Sequence, residues 1–204
     1  GTNFPRRNFA PKDEELAKQS AEKETDALTA KFLKTRQIIL SGEINKELAE
    51  KIARQLLILE ADSDEPIRIF IDSPGGDADA GYAMFDMIRF INAPVYTIGM
   101  GLIASAASIV LLAAPKERRF ALPNSRYLIH QPMSGMQGVT TEIEIHAQEL
   151  EKMRAKINEM IAKETGKAVD DVAKDTDRDY WLDAQGAINY GLVNKICNHR
   201  KDLA

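Results

Sequence analysis

The chain has 204 residues, 44% of them apolar and 28% charged, with a formal net charge of −4 and one cysteine, Cys197. At about 150 residues per domain this is one domain with room for an appendage, and it can bury a sizeable core. The slightly acidic balance excludes a nucleic-acid binder built on clustered Lys and Arg, and a single Cys excludes an intrachain disulfide framework or a multi-cysteine metal site.

No stretch reaches the roughly 18 continuous apolar residues of a membrane helix. The longest, Leu102 to Pro115, is interrupted by Ser105 and Ser108. The first residues carry no apolar run of the kind a secretory signal needs. The expectation is a soluble protein of a bacterial cytoplasm or an organelle matrix.

Residues 1–35 hold seven Lys/Arg and six Asp/Glu and few large apolar side chains. Good helix formers run from Asp13 to Lys34, but Leu16, Leu28, Phe32 and Leu33 are too sparse for a core face. The expectation is a charged helical arm, mobile or pore-gating, ahead of a folded domain over 36–204. From Gln37 strands alternate with helices. Gln37–Ser41 reads as a strand, and Asn45 caps a helix over 46–61 with Leu48, Ile52, Leu56 and Leu59 on one face. Ile67–Asp72 is a strand, Ser73-Pro74-Gly75-Gly76 a turn, and Ala80–Asn92 a helix stopped by Pro94. Val95–Gly99 is a strand, and Ser105–Ala114 a helix so apolar that it must be buried. Ala121–Asn124 is a turn and Tyr127–His130 a strand. A long amphipathic helix from about Thr140 to Thr165 closes at Gly166, and Trp181–Tyr190 is a final helix closed by Gly191. The alternation predicts an α/β fold with a mainly parallel sheet.

A few residues in this pattern carry chemistry. Ser105 stands where a strand runs into a buried helix, so its hydroxyl lies near unpaired backbone N–H groups; the bland reading is a helix cap. Gly75-Gly76 follows a strand, and paired glycines let backbone approach a ligand or simply make a tight turn. His130 ends a strand, the place where α/β sheets gather site residues. His146 lies among Glu142, Glu144 and Glu149 and reads as part of a solvated face, and His199 lies in the tail. No HExxH or paired histidine ligands occur. The acidic run Asp170, Asp171, Asp175, Asp177, Asp179 holds a carboxylate that can orient an imidazole, but spacing does not select which.

In order along the chain, IDSPGGDADAGYAMFDMI, GMGLIASAASIVLLAAPKERRFALPNSRYLIHQP, GVTTEIEIHAQEL and KDTDRDYWLDAQGAINYGLVNKI resemble the proteolytic subunit of the Clp protease (ClpP) family over about residues 36–197. The resemblance implies a ClpP/crotonase-like spiral of strand–turn–helix units with a protruding handle at about 133–165. It places the family's nucleophile on Ser105, its general base on His130 and its orienting carboxylate on Asp179. It places the oxyanion-hole donors on the N–H groups of Gly76 and Ala106, and inter-ring contacts on Asp177 and Arg178. It implies a serine endopeptidase that cleaves unfolded polypeptides inside two stacked heptameric rings. A hexameric Clp-type unfoldase would feed it with ATP; this chain has no GxxxxGK[ST] loop and is expected to hold no metal or cofactor. The handle segment Met133–Val139 would pair with an extended substrate.

Four features depart from the family pattern. Residues 1–35 lack the familiar N-terminal sequence. Ala106 stands for a common Met, Ala107 for a common Gly and Asp72 for a common Asn. The alternative expectation is a scaffold paralogue that activates a partner ring and cleaves little by itself.

Overall fold

The computed structural model describes residues 11–130 and 140–203, with side chains given outside 140–143. The chain divides into two compact units, Gly1–Arg36 and Gln37–Ala204. In the first, helix α1 spans Pro11–Leu33 and buries no residue. Its polar and charged residues run all round the helix, which leaves no apolar stripe to pack.

The second unit is α/β. Among the described residues β1 (Gln37–Ser41), β2 (Ile67–Ser73), β3 (Val95–Ala104), β4 (Arg119–Ala121) and β7 (Lys195–Ile196) form one sheet in the order β1-β2-β3-β4-β7, with β5 (Arg126–Ile129) joined to β3 and β6 (Tyr180–Asp183) to β5. Strand β1 (Gln37–Ser41) pairs parallel with β2 (Ile67–Ser73), and β2 pairs parallel with β3 (Val95–Ala104). The alternate residues Ile67, Ile69, Ile71 and Ser73 of β2 are buried, the period-2 signature of a strand. Helix α2 (Lys46–Asp62) is capped by Asn45, whose Oδ1 accepts the Leu48 N–H at 2.8 Å. Its face Ala49, Ile52, Leu56 and Leu59 is buried. Each large side chain so buried contributes about 2 kcal/mol. Helix α3 (Ala78–Phe90) starts on an Asp77 cap rather than at Ala80.

Strand β3 is twice as long as its apolar run suggests, and it serves two partners. Thr97–Gly99 pair with β4 (Arg119–Ala121), whereas Leu102–Ala104 pair with β5 (Arg126–Ile129). The handover occurs at an irregularity: Ile71 pairs with Gly99, but Ser73 pairs with Ile103. Leu102 N–H donates to Asp72 Oδ1 at 3.1 Å, and the bare Cα of Gly101 (φ +64°) lies against the Asp72 carboxylate. Asp72 thus closes a bulge that bends the end of β3.

The apolar stretch after β3 forms only a short helix, α4 (Ala106–Leu111), all of it buried. Helix α5 (Thr140–Thr165) has the predicted bounds. The final element differs. Tyr180–Asp183 is strand β6, antiparallel to β5, and the helix α7 is only Ala184–Tyr190. Asp183 caps α7 by accepting the Gly186 N–H at 2.7 Å, so the chain must be extended before it. Helix α6 (Val169–Thr176), with two acidic residues in its first turn, and the short strand β7 (Lys195–Ile196) had no element assigned in the sequence. Among the described residues no helix is long and apolar enough to cross a membrane.

Candidate active site

Three strand ends converge: the C-terminal ends of the parallel strands β2, β3 and β5, where open α/β sheets place their ligands. Each contributes one part of the site.

At the end of β3 the backbone of Ser105 adopts φ +56°, ψ −122° before α4 begins. A non-glycine residue in this region costs about 1–3 kcal/mol and persists only where its surroundings impose it. Two contacts do so. The Ser105 N–H donates to Leu128 O of β5 at 3.0 Å. On the other side Gly75 packs so closely that a Cβ there would sit 2.6 Å from Ala104 O and 2.7 Å from Ser105 Cβ. That approach, with φ +93° at Gly75, is the physical demand for glycine in the SPGG turn. The turn is further fixed by Ser73, whose Oγ donates to Gly42 O at 2.6 Å and accepts the Gly75 N–H at 3.0 Å.

His130 follows β5. Side chains alternate along a strand, so it shares a face with Leu128, the residue whose carbonyl holds Ser105. A cavity of about 630 Å³ is lined by Ser105, His130, Gly76 and Ala106 together. Ala106 is the first residue of α4, whose leading N–H groups have no partner within the helix. Among the described residues the Gly76 N–H also has no acceptor. Ser108, in the first turn of α4, lines the same cavity; it is buried, and its Oγ has no partner among the described residues.

The opposite wall comes from α5: His146, Glu149, Leu150, Met153, Ile157 and Ile161. Their three- and four-residue spacing was legible as a helical stripe. The sequence instead placed His146 on a solvated face, because its sequence neighbours are acidic; it is half-buried and faces the cavity.

Asp179 is exposed, does not line the cavity, and makes no hydrogen bond or ion pair among the described residues. Its backbone position is nevertheless informative. In the antiparallel β5–β6 ladder Arg126 faces Asp183, Leu128 faces Trp181 and Ile129 faces Tyr180. The ladder ends at Ile129 and Tyr180, one residue short of His130 on one side and of Asp179 on the other, so both residues flank the same end of the β5–β6 pair. Asp175 is committed elsewhere: its Oδ2 accepts the Tyr190 hydroxyl at 2.9 Å. Asp177 ends α6 and Arg178 follows it, both exposed. The handle segment Met133–Val139 lies outside the described residues. No cluster of three metal-binding side chains occurs among those described.

The comparisons with known proteins agree on one family. A model of that family, described as Clp protease, matches residues 19–200. The chain belongs to the Clp protease family. It is 68% identical to the ATP-dependent Clp protease proteolytic subunit 2 of Treponema denticola, over 91% of this chain and 94% of the relative. It is 44% identical to proteolytic subunit 3 of Rhizobium etli, over 96% of this chain and the whole of that one. The solved structure of ClpP1 from Listeria monocytogenes superposes with a TM-score of 0.79 at 46% identity, covering 87% of this chain and 99% of that chain. The α/β fold, with its mainly parallel sheet, is the ClpP fold, and as a proteolytic subunit of this family the chain is a peptidase.

Proposed function

We propose that this chain is a serine endopeptidase in which Ser105 is the nucleophile, His130 the general base and Asp179 the carboxylate that orients the imidazole. One observation carries the reading: Ser105, on a strained strand-to-helix turn, shares a cavity with His130 and with two backbone positions able to donate N–H groups. His130 takes the Ser105 proton as Oγ attacks a peptide carbonyl. The N–H groups of Gly76 and Ala106 receive the oxyanion, each worth about 3 kcal/mol of barrier. His130 returns the proton to the leaving amine, and water then hydrolyses the acyl-enzyme by the same steps. No metal or cofactor in this chain is required.

In this reading the catalytic chains assemble as two stacked heptameric rings, with Asp177 and Arg178 contributing between rings. A hexameric ATP-dependent unfoldase then supplies unfolded polypeptide. Enclosure supplies the selectivity that a broad peptidase lacks. An extended substrate would lie along the handle by strand addition.

The test is turnover of a fluorogenic peptide by the purified chain, with assembly followed by light scattering. Ser105→Ala is expected to abolish turnover and labelling by a fluorophosphonate. Adding His130→Ala is expected to cost little more, because members of a triad act as a unit. A double variant far slower than the single, or an unlabelled Ser105 in the wild type, would overturn the assignment. The relatives' names number their subunits 2 and 3; this supports a second reading, in which the chain chiefly scaffolds a partner ring. Silence alone, with turnover on mixing with a second ClpP subunit, is the outcome expected from that reading.

A further inference from the structure

The cavity is a gap between two helices. Helix α4 carries Ser105 at its start, and α5 presents Met153, Ile157 and Ile161 across from it. What holds the gap lies away from it, at the outgoing ends of both helices.

Arg119 is fully buried. Its Nη1 donates to Ala114 O at 3.0 Å, and its Nη2 donates to Gly191 O at 3.0 Å and to the backbone O of Glu164 at 2.8 Å. The Glu164 carboxylate lies 3.5 Å from Arg119 Nη1 and accepts Arg89 Nη2 at 2.8 Å. Arg89 also donates to Ala113 O at 3.1 Å and to Leu112 O at 3.2 Å. The carbonyls of Leu112, Ala113 and Ala114 belong to the turn that follows α4. One carboxylate therefore joins two guanidinium groups that between them grip the turn leaving α4, the last turn of α5 and the cap of α7.

Helix α5 needs such an anchor. Among its described residues the buried ones, Ile157, Asn158, Ile161 and Ala162, fall in its final third. A further tie sits there too: the Thr176 hydroxyl donates to Asn158 Oδ1 at 2.7 Å. His146, on the cavity wall, is about 27 Å of helix away from Glu164. At that length a tilt of about 5° at the root moves the wall by about 2 Å, more than the length of a carbon–carbon bond.

We propose that Glu164 is a positioning residue that sets the tilt of α5, and with it the width of the substrate cavity and the size of peptide side chain admitted. The inference rests on reading this cavity as the substrate site.

The test compares the full-length wild type, Glu164→Gln and Arg89→Met. The Gln keeps the volume of Glu164 and withdraws its charge. Arg89 is part-exposed, so its loss threatens folding less. Each protein is assayed on fluorogenic peptides that differ only in the residue before the cleaved bond, Ala against Leu against Phe. The rate of Ser105 labelling by a small fluorophosphonate and the melting temperature are read in parallel. Both variants are expected to label within about threefold of wild type while the ratio of kcat/KM for Phe over Ala changes by about tenfold, mainly through KM. A lower melting temperature with an unchanged ratio in both variants would overturn the inference and leave the cluster a packing feature. If Glu164→Gln does not fold, the ratio in Arg89→Met decides. Wild type that fails to label at Ser105 would instead remove the reading of the cavity itself.

Discussion

Asp179 and Asp175 are four residues apart and identical in chemistry, yet the fold gives them different settings. Asp175 accepts from Tyr190, whose own hydroxyl is held protonated by burial and by that carboxylate. Asp179 immediately precedes β6, at the end of the β5–β6 pair that leads to His130. Asp179→Asn is expected to lower kcat by about 10⁴ with little change in melting temperature, since a triad that loses its carboxylate loses the correct imidazole tautomer. Asp175→Ala is expected to do the reverse, keeping turnover and losing about 1–2 kcal/mol of stability by chemical denaturation. Equal effects of the two on turnover would contradict the choice of Asp179 as the orienting carboxylate.

Among the elements, the bulge between β2 and β3 has the most direct bearing on the site. It lets one strand pair with β4 at its start and with β5 at its end, and so brings Ser105 beside the strand that leads to His130. Asp72 closes that bulge by accepting the Leu102 N–H. The sequence marked Asp72 as a departure from a family Asn without a reason. Either side chain offers an oxygen at that point, so the two are interchangeable as acceptors. Asp72→Asn is expected to keep near-wild-type stability and turnover. Asp72→Ala orphans a part-buried N–H and is expected to cost about 1–3 kcal/mol, or about 2–4 °C in melting temperature per kcal/mol. The elements legible beforehand were those with strong periodicity and local stop signals, such as α2 with its Asn45 cap and α5. Strand β6 was not. Trp181, Leu182 and the residues after them fit a helix by composition, and only pairing with β5 makes them a strand.

On the scale of the whole molecule, Tyr127 reports on the integrity of the core. It lies fully buried where β3 passes from one partner strand to the other, against Gly99, with its hydroxyl 2.9 Å from Ser125 Oγ. Burial pushes its pKa from 10.0 up to about 12. The folded chain therefore holds this proton more tightly than the unfolded one. Stability is full below about pH 10 and falls as pH rises from there towards about 12, because the unfolded state releases the proton first. Tyr82, raised to about 12 by burial and by Asp86, adds to the same slope. Tyr127→Phe is expected to flatten part of the decline in melting temperature between these pH values, as followed by circular dichroism. An unchanged alkaline slope would show that Tyr127 ionises freely in the folded state.

The sequence by itself determined the class of fold, the order of its principal elements, and the serine, histidine and glycines on which a site could be built. These follow from signals carried within short windows: hydrophobic period, capping residues, and motifs in a fixed order. Only the tertiary structure decided which groups meet. The strained turn at Ser105 and the cavity it shares with His130 and the α5 stripe depend on pairing between strands distant in the chain. That pairing is set by burial and backbone hydrogen bonding across the sheet, and no local window contains it.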